Sequence, residues 1–236
     1  LVEFPNGTQA SSLYDAAGRL LNVTQESPVS GTLAAFTYAL DAVGNPASMV
    51  DLEGTASYGY DDLDRLIEVT YPDGEQVAFA YDAVGNRTAM TSTVGGMLSY
   101  TYDAADQLLA AGGDTFGWDA NGRQITRTHG GGLATYSYDT LDRLAQVVSG
   151  TTTVAYAYNG DGVRVLRVAN GASFEYVQDV QTPLPLVLTA TTGGQDDTYL
   201  YGAGLVAHVA PDSLLSIYHV DGLGSVRALS NAAGQG

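Results

Sequence analysis

The sequence predicts an all-β fold: an array of β-hairpins laid side by side in one curved, spiralling sheet. Three observations carry that expectation. First, an aromatic residue is followed two positions later by another at Phe36/Tyr38, Tyr58/Tyr60, Phe79/Tyr81, Tyr100/Tyr102, Phe116/Trp118, Tyr136/Tyr138, Tyr156/Tyr158, Phe174/Tyr176 and Tyr199/Tyr201, pairs that hold 18 of the 22 aromatic residues. A gap of two puts both rings on one face of a strand, because strand side chains alternate. Second, the first members of the pairs advance by 22, 21, 21, 16, 20, 20, 18 and 25 residues. Such a period marks one supersecondary unit copied along the chain. Third, the 29 glycines, with abundant Thr, Val, Tyr and Asp, suit strands and turns, and long helix-forming runs are absent.

The 236 residues are enough for one large all-β unit or two ordinary domains. The repeat predicts a single array over residues 1–236, regular through 170 and variant from 171, each unit mainly contacting its neighbours. The net charge of −17, with no lysine and nine arginines, argues against a nucleic-acid or anionic-membrane surface. The acids divide into 20 Asp and 6 Glu. Asp is a turn former, so the acidity reads as turn chemistry on a solvated surface. The absence of cysteine excludes a disulfide framework and thiol chemistry but leaves the compartment open. No apolar run reaches the ~18 residues of a membrane helix. Leu1-Val2-Glu3-Phe4 is already strand-like and no signal peptide opens the chain, so a piece of a longer protein is expected.

Each ring pair is followed by Asp, a short Gly- or Asp-bearing turn, then often Arg and an apolar strand. The copies run Tyr14-Asp15-Ala16-Ala17-Gly18-Arg19-Leu20, without a leading aromatic; Tyr60-Asp61-Asp62-Leu63-Asp64-Arg65-Leu66; and Tyr81-Asp82-Ala83-Val84-Gly85-Asn86-Arg87. Tyr102-Asp103-Ala104-Ala105-Asp106-Gln107-Leu108 substitutes Gln for Arg, and Trp118-Asp119-Ala120-Asn121-Gly122-Arg123 reads one residue shorter. Tyr138-Asp139-Thr140-Leu141-Asp142-Arg143-Leu144 is regular, and Tyr158-Asn159-Gly160-Asp161-Gly162-Val163-Arg164 has Asn in the Asp place. Asp can accept from turn N–H groups two residues on. Gly or Asn late in the turn supplies positive φ. Arg then starts the return strand and can hold the acidic turn as a charge-assisted pair that fixes register.

A second turn closes each period, best seen at Tyr71-Pro72-Asp73-Gly74-Glu75. Its flanks alternate: Ile67, Val69 and Tyr71 share one face, and Val77, Phe79 and Tyr81 share a face of the next strand. That is hairpin patterning with two strands per period. A propeller blade would span two periods and make the copies alternate in character, which is not visible, so a continuous sheet fits better. Two residues are read as inserted between Tyr38 and Asp41, and Gln178–Asp197 as a variant strand and connector.

These motifs resemble the YD-repeat, or RHS-repeat, family. The core Tyr-Asp-x-x-Gly-Arg-Leu stands nearly intact at Tyr14–Leu20 and recognisably in later copies. Thr198–Val206 looks like the segment before the RHS core. Tyr218-His219-Val220-Asp221-Gly222-Leu223-Gly224-Ser225-Val226-Arg227-Ala228-Leu229 matches the family's Tyr-His-x-Asp-x-Leu-Gly-Ser-x-Arg-x-Leu element. The resemblance implies hairpins spiralling into part of a hollow shell. In bacterial members and insecticidal toxin subunits the shell encloses a C-terminal toxin, and in teneurins it belongs to an adhesion ectodomain. It implies a non-enzymatic, secreted or cell-surface structural segment. Its partners would be the remaining shell repeats and a C-terminal core or effector. The family's self-cleaving core follows the repeats; no cleavage residue is carried over here.

Candidate sites are sparse. His129 lies beside Gly130-Gly131-Gly132, His208 alternates within a strand, and His219 is expected to pack or bond locally. No nucleophile–base–orienter motif accompanies them, so neither a catalytic residue nor a cofactor is expected. Acidic pairs such as Asp61/Asp62 and Asp196/Asp197 arise by chance in a chain this rich in Asp. Asp61, Asp64, Asn159 and Asp161 are weak calcium candidates, since clustered oxygens in Gly-bearing turns suit a hard cation but the spaced ligands of an EF-hand are missing. The Tyr row admits glycan stacking as an alternative to cross-strand packing. Exposed sheet edges admit a homo-oligomer or a partner cell surface.

Overall fold

The computed structural model of the protein describes residues 1–202 and 204–236; Ala203, within the Thr198–Val206 segment, lies outside them. The described residues contain strands and turns and no helix. The strands are β1 (Val2–Glu3), β2 (Gln9–Tyr14), β3 (Leu20–Ser27), β4 (Gly31–Leu40), β5 (Pro46–Val50), β6 (Thr55–Tyr60), β7 (Leu66–Thr70) and β8 (Gln76–Tyr81). They continue with β9 (Arg87–Ser92), β10 (Gly96–Tyr102), β11 (Leu108–Ala111), β12 (Asp114–Trp118), β13 (Gln124–His129), β14 (Gly132–Tyr138), β15 (Leu144–Ser149) and β16 (Thr152–Tyr158). The last are β17 (Arg164–Ala169), β18 (Ala172–Asp179), β19 (Leu186–Thr192), β20 (Gln195–Tyr201), β21 (Leu205–Val209), β22 (Leu215–Val220) and β23 (Val226–Asn231). The all-β hairpin array is therefore observed.

The strands divide between two compact units: Leu1–Ala78 with Ser92–Gly95 and Thr198–Gly236, and Phe79–Thr91 with Gly96–Asp197. In the first, β1 to β8 pair antiparallel in chain order, as do β20 to β23. In the second, β10 to β19 do the same.

One local design generates every second hairpin, the one that follows a ring pair. At Asp61, Oδ1 accepts the N–H groups of Leu63 at 3.0 Å and Arg65 at 2.9 Å. The backbone closes a turn from Asp64 N–H to the Asp61 carbonyl at 3.0 Å. The fourth turn residue then takes positive φ, and the chain reverses. Glycine fills that place at Gly85 (φ 100°), but Asp fills it at Asp64, Asp106 and Asp142 (φ 58°, 59° and 61°). From Asp41 to Asn159 the copies therefore alternate: Gly44, Asp64, Gly85, Asp106, Gly122, Asp142 and Gly162 occupy the fourth place in turn, while the Asp15 copy before them also has glycine there, at Gly18. The strained Asp side chains have a partner. Asn45 donates to Asp64 at 3.0 Å, Asn86 to Asp106 at 2.8 Å and Arg123 to Asp142 at 2.5 Å, each from the turn before.

Wherever its register is described, such a turn is flanked by a bulge. Tyr60 stands opposite Leu66 while Gly59 stands opposite Glu68, so Ile67 is skipped. Leu66 therefore takes the cross-strand place expected of Ile67, and Tyr71 leaves the strand for the turn that its carbonyl closes with Gly74. A bulge leaves backbone groups without ladder partners. The second ring of five pairs meets that need. The Tyr60, Tyr138 and Tyr158 hydroxyls donate to the carbonyls of Pro46, Gln124 and Leu144 at 3.0, 2.8 and 2.8 Å. Tyr102 donates to the Arg87 carbonyl, and Trp118 Nε1 to that of Leu108.

The register also revises two sequence readings. Leu40 stands opposite Pro46 at a bulge, as Tyr60 does with Leu66, so nothing is inserted after Tyr38; its ring pair is displaced by two. Phe174/Tyr176 is displaced likewise, and Gln178 takes the second ring's place, its Nε2 donating to the Arg164 carbonyl. Within Gln178–Asp197, β18 and β19 form a hairpin with a longer connection.

The two units differ in depth. The first has a core of Val23, Ala34 and Phe36, backed by Leu20, Tyr38 and Met49, and also buries Ala207 and Ile217. The second contains no fully buried residue among those described: it is one sheet thick. Its rings are half-covered by arginines instead. Arg123 and Arg143 stand 5.0 and 4.7 Å over the rings of Tyr138 and Tyr158, and Arg167 stands 4.5 Å over Phe174. In such a sheet the hydroxyl bonds should matter individually. Tyr138→Phe is expected to cost about 1 kcal/mol in urea denaturation. Tyr156→Phe, which removes no hydroxyl bond seen among the described residues, should be close to neutral. Equal losses would contradict the role given to the second ring.

Candidate functional site

The repeated turn is the first candidate. The bonds from the third and fifth N–H groups to the first side chain recur at Asp15, Asp41, Asp82, Asp103, Asp119 and Asp139, and at Asn159. Arg19, Arg65, Arg123 and Arg143 close ion pairs of 2.6, 2.7, 2.7 and 2.7 Å on the Asp four residues before them. The other motif arginines act elsewhere. Asn86 holds Asp82, while Arg87 lies 4.4 Å over the Tyr100 ring; Arg164 lies between Tyr156 and Tyr176 at 5.5 and 5.2 Å.

Backbone bonding from Arg19, then its side chain, lowers the Asp15 carboxyl, and the Arg65 side chain, then its backbone, lowers that of Asp61. The Arg123 and Arg143 backbone N–H groups, then their side chains, lower Asp119 and Asp139. Partial burial pushes Asp82 the other way, but the Asn86 and Val84 bonds outweigh it.

The calcium candidates are used in this same way. Asp61 serves its own turn and Arg65, Asp64 receives Asn45, and Asn159 Oδ1 accepts from Asp161 and Val163. No three acidic, histidine or cysteine side chains converge for a metal among the described residues. His129 ends β13 with Nδ1 2.8 Å from Asp114, and His208 stacks 5.2 Å from the Tyr199 ring.

The second candidate is the Tyr218–Leu229 element. It forms the β22–β23 hairpin, which packs on β3 and β4 within the first unit. His219 is wholly buried, with Nε2 2.8 Å from Ser230 Oγ, Nδ1 3.3 Å from Gln25 Oε1 and the Phe4 ring set edge-on at 5.8 Å. Its bonding is thus long-range as well as local. Burial pushes the imidazole pKa down. Gln25 Nε2 donates to the Val220 carbonyl at 3.0 Å, and Ser27 Oγ to that of Gly234 at 2.5 Å. Gly222 N–H donates to the Tyr38 hydroxyl at 3.0 Å, and burial raises that phenol. Asp221 accepts from Leu223 and Ser225 N–H and pairs with Arg227 at 2.9 Å, and Arg227 stands 5.6 Å over the Phe36 ring. Nothing in the local sequence pattern signals the Gln25, Ser27 or Tyr38 partners.

Beside this hairpin lies a concavity of about 510 Å³, lined by Tyr38, Tyr58, Tyr60, Leu20, Met49, Leu66 and the Gly222–Leu223 turn, with Arg19, Asp221 and Arg227 at its polar side. Its surface is mainly ring and aliphatic carbon.

Bulged hairpins with an Asp-capped turn, repeated in sheets and joined to a docked terminal hairpin, define a repeat protein of the shell-building class. The family model described as Teneurin YD-shell matches residues 45–230, and the chain belongs to that family. The chain is similar to the tRNA3(Ser)-specific nuclease WapA of Bacillus spizizenii, 25% identical over 75% of this chain and 8% of the relative. It is also similar to the tRNA nuclease WapA of Bacillus subtilis, 24% identical over the same shares. The chain therefore spans a small part of the curated relatives it matches. Among solved structures it resembles a chain of the TcdB2-TccC3-Cdc42 crystal structure, with a TM-score of 0.72 and 18% identity over 99% of this chain and 14% of that one. A chain of the Photorhabdus luminescens Tc holotoxin pore gives a TM-score of 0.60 and 15% identity over 99% of this chain and 14% of that one. At these identities the likeness establishes the fold.

Two outcomes test the site. Folding lowers the Asp119 and Asp139 carboxyls, so their stabilisation is complete above the ordinary carboxyl pKa of about 4 and is lost as pH falls through the lower folded value. Urea midpoints read by Trp118 fluorescence should hold from about pH 7 to about pH 5 and drop below about pH 4. Asp139→Asn should lower the neutral midpoint and blunt the acid drop; an undiminished drop would remove this carboxylate from the account. At Gly222, an added Cβ would lie 2.6 Å from Leu20 Cδ2 and 2.9 Å from the Tyr38 hydroxyl. Gly222→Ala should therefore speed amide exchange through β22 and β23. Gly160→Ala, which meets nothing within 4 Å, should not.

Proposed function

We propose that the chain is a non-enzymatic wall segment of a secreted or cell-surface shell protein, and that the shell encloses a C-terminal effector of its parent chain. The observation that carries this reading is the thickness of the second unit. A soluble antiparallel sheet ordinarily buries one face on a core. Residues 96–197 form hairpin after hairpin with no fully buried side chain among those described, a construction suited to partitioning space. Family membership supports the reading, as do similar solved structures whose names include TccC3 and relatives named as tRNA nucleases. The nuclease activity belongs to those whole proteins; the proposed role here is mechanical.

A further observation concerns continuation. On the β1 side, β2 pairs only through Ala10 and Gln9, and Ser11–Tyr14 are exposed. An open edge accepts another strand. We propose an upstream hairpin of the same array as its occupant, with residues 1–236 as one array, regular through 170 and variant from 171. Light scattering tests the competing occupant, a second copy: growth of oligomers with concentration would favour it.

Protease protection of the full-length gene product tests the central reading. Polypeptide downstream of the repeats should resist cleavage until the shell is opened by denaturant. Cleavage at the rate of the same polypeptide in isolation would end the encapsulation proposal. The concavity of Tyr38, Tyr58 and Tyr60 favours a second reading, a glycan-binding adhesin module. A glycan array probed with the folded chain checks it, and uniform silence would remove it.

A further inference from the structure

The β22–β23 hairpin is held to the N-terminal segment by a directional chain of polar bonds rather than by apolar area alone. Asn6 Nδ2 donates to Ser230 Oγ at 2.9 Å and to the Asn231 carbonyl at 2.9 Å. Asn6 Oδ1 in turn accepts from the Thr8 N–H and hydroxyl at 3.1 and 2.6 Å. Since Ser230 Oγ accepts from Asn6, its own proton is free to point at His219 Nε2. On the other side of the ring, Gln25 Nε2 is committed to the Val220 carbonyl, which turns Oε1 toward His219 Nδ1. These two constraints assign the tautomer: Nδ1 carries the proton and Nε2 is the acceptor. The ring is neutral and saturated.

A second proton has no place in this arrangement. It would make Nε2 a donor against a hydroxyl already aimed at it. The Ser230 proton would then have to turn away from the ring. The added charge would also sit on a wholly buried ring.

Among the described residues no charged group faces the ring to offset it. β3 presents Gln25, β23 presents Ser230, and the N-terminal segment presents Phe4 and, through Ser230, Asn6. On β22 itself and its turn, Asp221 is directed onto its own turn and Arg227. His208, on neighbouring β21, lies on the Tyr199 ring. Tyr38 of β4 is bonded to Gly222, and Glu26, next to Gln25, is exposed.

We propose that the C-terminal hairpin is an acid-released latch, in which protonation of His219 frees residues 215–236 from residues 1–30. The undocked ring titrates as an ordinary histidine, near pH 6.5, and the docked ring resists protonation. Docking is therefore complete above about pH 6.5. It weakens as pH falls below that value and reaches a floor once the docked ring also protonates. The turn carboxylates lie outside this window because their loss belongs below about pH 4. The inference is independent of whether the shell holds an effector.

Hydrogen exchange of the whole chain, corrected for intrinsic rates and followed from about pH 7.5 to about pH 5, tests the latch. Opening of residues 215–236 and 1–30 should rise by up to about tenfold per pH unit below about pH 6.5, while residues 96–197 show no matching step. His219→Gln, which keeps a neutral donor and acceptor, should abolish the step, and His208→Gln should retain it. If His219→Gln does not fold, the ring titration of the wild-type protein by NMR decides. A His219 pKa at or above the ordinary value overturns the proposal. So does a flat exchange profile, or a step that survives in a folded His219→Gln protein.

Discussion

The carboxylate or carboxamide at the first place of the turn after each ring pair is the constraint on which the rest of the fold depends. One oxygen accepts two backbone N–H groups, and this forces the fourth residue into positive φ. That geometry brings the return strand back one residue out of register, so a bulge appears beside these turns. The bulge frees a carbonyl, and the second aromatic ring donates its hydroxyl to it. A polar turn, a kinked strand and an aromatic side chain are thus three parts of one arrangement. Its repetition explains why Tyr and Asp stand adjacent through most of the chain.

The same arrangement serves two different situations. In the first unit it is backed by a small apolar core and by the docked terminal hairpin, with Thr8, Gln25, Ser27, His219, Asp221 and Ser230 buried in mutually satisfied bonds. Buried polar groups of this kind specify one docking geometry, because any other leaves donors or acceptors unpaired. In the second unit little is buried. Cohesion there comes from ladder bonds, hydroxyl caps, rungs between turns and arginines lying on rings. The first unit therefore has a packed interior and the second is a thin sheet, although both use the same repeat.

Local physics was legible in the sequence where it depends on residues a few positions apart. Asp139-Thr140-Leu141-Asp142-Arg143 announces its turn, its capping Asp and its ion pair. The alternation of Gly and Asp at the fourth place was also written there, but Asp142 reads as one more acid until Arg123, from the preceding turn, is seen to reach it. Ring spacing alone misplaced Phe36/Tyr38 and Phe174/Tyr176. The strand register depends on which residue follows the bulge, and Leu40 and Gln178 fill the ring's place without being aromatic. His219 was recognisable as a motif residue, yet its environment comes from Gln25, 194 positions away. No periodicity carries information across that distance.

Residue-resolved amide exchange by NMR at neutral pH tests the central claim most directly. In each turn the first and fifth amides, such as those of Asp139 and Arg143, donate in the folded protein, while the amide of the second residue, Thr140, has no such bond among those described. The account predicts slow exchange at the first and fifth places and fast exchange at the second, repeated from turn to turn along the chain. Uniformly fast exchange across these turns, or protection that ignores the turn positions, would contradict it.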